Sequence, residues 1–214
     1  KNSKCYNGGN HLLNIGNFSR LLVSEYFNYS KIIYLDSDSV VQKDFVNRIL
    51  NLRIKYPIYS RKMNKERLTL KMNTIVNTNV SFKNIIGKEI KADNFAYMGA
   101  PFLANLKLWK NTYSKIVELI NLHNNHKDGV YKLFTMSIQN IIFYEDIGDI
   151  NDILICLPDC GSKRKNWDNE TLENSDVLDW SGIYKPWYQN GLNKGFWDIY
   201  DVLNLSDNYG KINM

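Results

Sequence analysis

Sulfur is scarce in this chain, and long apolar runs are missing. The three cysteines, Cys5, Cys156 and Cys160, are too few and too odd in number for a disulfide framework. The Cys-Leu-Pro-Asp-Cys spacing also lacks the second pair or the neighbouring histidines of a zinc site. They read as structural or free thiols. Histidine is equally sparse: besides His11 there are only His123 and His126, three apart near a helix end and expected at the surface. No stretch approaches the ~18 consecutive apolar residues of a spanning helix. No secretory leader is visible, so the expected compartment is the cytoplasm; a start at Lys1 rather than Met leaves a removed upstream segment as the alternative.

What is present is ordinary for a globular protein. With 214 residues, 44% hydrophobic and 23% charged, the chain is long enough to bury about 70% of its unfolded surface as a single domain. The expected layout is a loop over residues 1–16, a core over 17–190 and a C-terminal tail over 191–214. The net charge of +5 is modest. Its concentrations, RKMNKER at 61–67 and GSKRKNW at 161–167, read as solvated loops, and no nucleic-acid partner is expected.

Periodicity supplies the elements. Phe18, Leu21, Leu22 and Tyr26 fall at helical spacing, with Asn17 placed as a cap. Residues 31–35, KIIYL, have the length and apolar content of a strand buried on both faces in the middle of a parallel sheet. Asp44 suits the start of a short helix in KDFVNRILNLR. PIYS and TIVNTNVSF are strand candidates. AYMGAPFLANLKLW reads as a strand feeding a helix whose face carries Trp109, Tyr113, Ile116, Val117 and Ile120. A second helix over 132–144 and a strand over 153–157 complete an α/β sandwich with a largely parallel sheet.

Two segments carry chemistry. Asp36 and Asp38 follow the strand at its C-terminal end, the edge where ligands bind in open α/β sheets. Oxygen ligands at that spacing suit Mg²⁺ or Mn²⁺ bridging to phosphates; the alternative is an Asp-Ser-Asp turn capping backbone amides. Further on, DVLDWSGIYKPW at 176–187 combines a loop glycine, a lysine three residues later and a stiff Pro-Trp, a combination suited to clamping a diphosphate. The alternative is an aromatic-rich turn with Lys185 solvated.

YLDSDSVVQKD and DWSGIYKPW together resemble glycosyltransferase family 8, the group of glycogenin and bacterial lipooligosaccharide galactosyltransferases, over about residues 17–190. The resemblance implies a Rossmann-like GT-A fold and a late metal-and-phosphate motif at Asp179, Gly182, Lys185, Pro186 and Trp187. NFSRLL nominates Arg20 for the donor, and SIQNII places Gln139 near the acceptor. The chain departs from the family pattern at three places. Asp179 stands for a histidine, Met98-Gly99-Ala100 for an Asn-Ala-Gly turn, and Ile138 for an aspartate. The family's first strand and uridine loop have no room in the 35 residues ahead of Asp36.

By resemblance the chain is a retaining transferase moving glucose or galactose from a UDP-sugar to a hydroxyl of a carbohydrate or protein-linked glycan. Asp36, Asp38 and Asp179 are implied as ligands of Mn²⁺ or Mg²⁺. Asp36, Asp38, Gln139 and Lys185 are implied as catalytic. Arg20, Asp36, Gly99, Ala100, Gly182, Lys185 and Trp187 are implied as donor-binding. No covalent nucleophile stands out, which implies same-face attack assisted by the leaving phosphate. Two alternatives stand beside this: a catalytically degenerate nucleotide-sugar or glycan-binding module, and a metal-dependent nucleotidyltransferase or pyrophosphatase.

Overall fold

The apolar run that leads into Asp36 does form a strand, but the strand lies at a sheet edge. The computed structural model describes residues 15–63, 69–109, 111–163 and 166–202. Cys5, His11, most of the basic 61–67 loop, and Arg164 with Lys165 lie outside the described residues. In chain order the elements are α1 (Ile15–Ser19), α2 (Val23–Tyr26), β1 (Lys31–Tyr34), β2 (Ser39–Val41), α3 (Val46–Asn51), β3 (Ile58–Lys62), α4 (Met72–Ile75) and α5 (Lys83–Ile86). They continue with β4 (Tyr97–Asn105), α6 (Thr112–Asn125), α7 (Phe134–Ile142), β5 (Ile147–Asp149), β6 (Cys156–Leu157), α8 (Asn169–Asn174), β7 (Val177–Asp179) and α9 (Lys194–Asp198). Among the described residues no helix is long and apolar enough to cross a membrane.

Two compact units emerge. The described residues before Leu35, together with Arg53–Asp149, form the first; Leu35–Leu52 and the described residues from Ile150 onward form the second. The first contains a four-stranded sheet in the order β1-β4-β3-β5. β1 and β3 both run antiparallel to β4, and β5 is parallel to β3. The sheet is therefore mixed rather than largely parallel, because β4 is inserted between two strands that precede it in the chain. β1 is half-buried along its length, as an edge strand must be. Tyr34 stacks on Phe102 of β4, ring centroids 5.0 Å apart. The second unit has a three-stranded sheet, β2-β7-β6, with β2 antiparallel and β6 parallel to β7.

Several elements differ from the sequence reading for identifiable reasons. The helix expected over 18–26 is split into α1 and α2, and Asn17 lies within α1 rather than capping it. PIYS enters β3, but TIVNTNVSF does not extend: it contributes the end of α4, an isolated bridge from Val76 to Tyr131, and a turn. Ile75 and Val76 are fully buried, and the Ile75 carbonyl accepts from Lys132 N–H and the Ser137 hydroxyl. Tertiary packing thus overrides β-propensity here. The strand expected over 153–157 shrinks to β6, because Leu154 N–H turns back to the Ile150 carbonyl.

The buried face of α6 also differs from the one its apolar spacing predicts. A 3₁₀ turn at Leu106–Leu108 interrupts the chain, so α6 restarts at Thr112. Its buried face is Thr112, Ile116, Leu119 and His123, whereas Tyr113 and Val117 are exposed. Trp109 stays in the core ahead of the helix and donates to the Pro57 carbonyl at 2.7 Å.

His123 is therefore no surface residue. It is 1% exposed and its ring stacks on Tyr131, centroids 3.8 Å apart. Its Nδ1 accepts from the Val130 and Tyr131 amides at 3.0 and 3.3 Å. Gly129, at φ +67°, presses on the same ring, where any Cβ would stand 2.6 Å from Cε1. His126 is half-exposed. Replacing His123 with Ala strands two buried donors and opens a void, so stability should fall by about 2–4 kcal/mol. A lowered urea midpoint would show this; an unchanged midpoint would remove His123 from that supporting role.

Candidate active site

The second unit brings Asp36, Asp38 and Asp179 together through one strand pairing. Asp36 and Asp38 lie in the turn between β1 and β2, where Ser39 N–H donates to the Asp36 carbonyl at 3.1 Å. β2 pairs with β7 so that Ser39 stands opposite Asp179, and Trp180 N–H donates to the Asp38 carbonyl at 2.9 Å. This register sets Ser39 beside a residue 140 positions away. Carboxylate oxygens of all three aspartates lie within 4.8 Å of one another. The Asp-Ser-Asp segment is a turn, but the Asp38 side chain pairs with Lys185.

Asp179 carries the electrostatic consequence. It is 4% exposed, and burial pushes its carboxyl from the ordinary 3.8 up to about 7, with the negative charges of Asp38 and Asp36 adding to the rise. The Ser181 hydroxyl, 2.5 Å from Oδ2, and the Lys185 ammonium oppose it. The Ser39 hydroxyl donates to Oδ1 at 3.4 Å. Neither serine was singled out in the sequence, although both sit within the two segments that carry the aspartates.

Lys185 is partly buried. Its ammonium ion-pairs with Asp38 and donates to the Trp180 carbonyl at 2.7 Å. The loop that delivers it is pinned on the preceding strand connection. Tyr184 N–H donates to the Gly161 carbonyl at 3.0 Å, Asp159 N–H to the Ser181 hydroxyl at 3.3 Å, and Cys160 N–H to the Asp179 carbonyl at 3.0 Å. Gly182 has φ +113°, and a Cβ there would come 2.5 Å from the Gly161 carbonyl oxygen. Glycine at 182 is thus required by backbone against backbone, whatever it also does for a ligand. Trp187 packs edge-on against Trp197, centroids 5.2 Å apart, over the buried Trp180. Cys156 and Cys160 are both buried.

Arg20, Gly99, Ala100 and Gln139 belong to the first unit. The Arg20 guanidinium lies 4.6 Å over the Tyr34 ring and donates to the Asn17 carbonyl and side chain, both at 3.2 Å. Gly99 and Ala100 lie on β4, where Gly99 backs onto Met136. Gln139 on α7 is fully buried. Its amide donates to the Met98 carbonyl at 2.8 Å, an oxygen that also accepts from the Ser60 hydroxyl at 2.6 Å. Its Oε1 has no hydrogen-bond partner among the described residues. Adjacent Asn140, which the sequence reading passed over, exchanges two 2.7 Å hydrogen bonds with the Tyr97 backbone.

The profile of glycosyl transferase family 8 matches residues 8–191. Glycosyltransferase 8 domain-containing protein 1 of Xenopus laevis is 25% identical over 205 residues, covering 86% of this chain and 54% of that protein. Its Mus musculus counterpart is 24% identical over 202 residues, covering 86% and 53%. The chain thus spans about half the length of these relatives. Among solved structures, the bifunctional glycosyltransferase WbbM superposes with TM-score 0.59 at 15% identity, covering 91% of this chain and 36% of that one. The galactosyltransferase LgtC, in complex with donor and acceptor sugar analogues, gives 0.54 at 15%, covering 94% and 69%. These likenesses identify the fold as GT-A.

The raised Asp179 carboxyl has a testable sign. A folded-state value above 3.8 means stability present at low pH and lost as pH rises through about 7. In chelator, the melting temperature of Asp179→Asn should therefore gain on that of wild type across this interval and level off above it. Parallel profiles for the two proteins would show that Asp179 is not titrating in this way.

Proposed function

Because the chain belongs to glycosyl transferase family 8, we propose that it transfers glucose or galactose from a UDP-sugar to a hydroxyl of a carbohydrate or protein-linked glycan, with retention of configuration and with Mn²⁺ or Mg²⁺. Both units are read as parts of one catalytic domain. The observation that carries this reading is the convergence of Asp36, Asp38 and Asp179 beside Lys185.

The donor set fits a divalent cation. All three ligands are hard carboxylate oxygens, the class preferred by Mg²⁺ and Mn²⁺. Burial raises the Asp179 carboxyl first and like charge adds to it; a bound cation would relieve the like-charge part, so Asp179 serves where the family carries histidine. Held by these three, the metal would supply Lewis-acid stabilisation to the diphosphate leaving group. Lys185 adds a point charge for the negative charge that grows on the departing phosphate. Gly182 shapes the turn that delivers it, and Trp187 stiffens that loop. Arg20, Gly99 and Ala100 are assigned to the donor. Gln139 is assigned to the reacting sugars, with its unpartnered Oε1 available to a hydroxyl.

A second reading has its own support. A carboxyl that retains its proton near neutrality is a poor ligand, which favours a module that binds nucleotide or glycan without turnover. Product analysis separates the two readings.

Calorimetric titration of UDP with Mn²⁺ should give binding that disappears in chelator and in Asp38→Asn. Binding indifferent to both would sink the metal-donor reading. In transfer assays Asp179→Ala should abolish activity while Asp179→His preserves it. Lys185→Ala should lower kcat by roughly 10²–10³, the usual cost of removing one charge-stabilising group; a near-normal kcat would take Lys185 out of the reaction.

A further inference from the structure

A cavity of about 370 Å³ opens in the first unit, lined by Lys62, Asn94, Phe95, Tyr97, Tyr144 and Glu145 among others. We propose that it binds a neutral saccharide, a ring of the glycan on which the enzyme acts. This rests on the sugar-transferring reading above.

The walls of the cavity are already rigid. The Tyr144 hydroxyl accepts from the Lys91 amide at 2.9 Å and from the Asn94 side chain at 2.6 Å. Asn140 accepts from Tyr97 N–H and donates to its carbonyl, and it also donates to the Met136 carbonyl at 2.8 Å. Tyr144 and Asn140 are themselves buried, so a ligand meets a preformed surface and loses little to ordering it.

Charge decides the ligand class. Asp93, on the rim, pairs with Lys71 at 2.8 Å, and Glu145 lies 3.7 Å from Lys88. The Lys62 ammonium sits 5.8 Å over the Phe95 ring. Among the described residues both carboxylates of the lining are paired with a lysine, and the single lining ammonium lies over an aromatic ring, an arrangement that favours a neutral ligand over a phosphate or a metal ion. Phe95 remains 36% exposed in the wall, and Tyr97 is half-buried beside it. Aromatic surface bordered by amide, carboxylate and ammonium groups matches a pyranose, which presents C–H faces and a ring of hydroxyls. The volume lies at the small end of the roughly 300–1,000 Å³ range of ligand pockets, a size for a mono- or disaccharide.

The test uses the full ¹⁵N-labelled chain in chelator, without nucleotide, titrated separately with lactose, maltose and cellobiose. At least one sugar should shift the amides of residues 94–97 and 144–147, and Phe95→Ala should weaken that binding about tenfold. Because Phe95 is only partly buried, the variant should stay folded with at most a modest drop in melting temperature, and it should keep its UDP titration with Mn²⁺. If none of the three sugars perturbs these amides, if Phe95→Ala leaves the affinity unchanged, or if inorganic phosphate shifts the same amides, the proposal is overturned. Sugar binding without UDP binding would strike the donor reading alone, and UDP binding without sugar binding would strike the cavity alone.

Discussion

Like charges do not gather without a scaffold, and the second unit holds three carboxylates within 4.8 Å. The scaffold is backbone. Pairing of β2 with β7 sets Ser39 opposite Asp179 and ties Trp180 N–H to the Asp38 carbonyl. The aspartates cannot separate without breaking strand hydrogen bonds. Burial then makes the repulsion costly rather than letting water screen it. Burial by itself pushes the Asp179 carboxyl up and the neighbouring carboxylates add to the rise, while the Ser181 hydroxyl and the Lys185 ammonium offset part of it.

The apolar framework serves this arrangement. Trp180 is fully buried, donates to the Leu192 carbonyl at 2.8 Å and meets Trp197 edge-on. Its carbonyl is therefore a fixed point for the Lys185 ammonium. Glycines 161 and 182 let two loops approach at backbone distance, so the lysine is delivered by a short, stiff connection. Asp176 plays a similar anchoring part. Its buried carboxylate ion-pairs with Arg48 and accepts from Ile155 N–H at 2.8 Å, tying α3 to the strand connection. The first unit uses neutral groups for the same end: Ser60 and Gln139 converge on the Met98 carbonyl, and Asn140 clasps Tyr97. Both units thus hold backbone in place with buried, hydrogen-bonded side chains, which is how a site is preorganised.

Sequence patterns that depend on near neighbours were legible. The KIIY strand, the helix opened by Asp44, the long β4 and the helix over Phe134–Ile142 all follow from local apolar periodicity and turn chemistry. Asp44 does accept from the Val46 amide at 3.0 Å. The errors share one cause. The three-residue strands β2, β5 and β7 are too short to carry a period. TIVNTNVSF looked extended because β-branched residues are counted the same whether they face a sheet or a helical core. His123 looked exposed because nothing local announces that residues 129–131 fold back over it.

The residue types of the site were set by the sequence itself. Two aspartates follow an apolar strand, and Asp179, Gly182, Lys185 and Trp187 occur in one later segment, so carboxylate, ammonium and glycine chemistry was readable from identity and spacing. Tertiary structure alone decided which of these groups meet. Asp38 finds Lys185 across 147 positions, Asp179 is buried among like charges, and Ser39 and Ser181 become its partners. The reason is physical: side-chain chemistry is a property of each residue, whereas distance, desolvation and field depend on strand register, which forms only when remote segments pair.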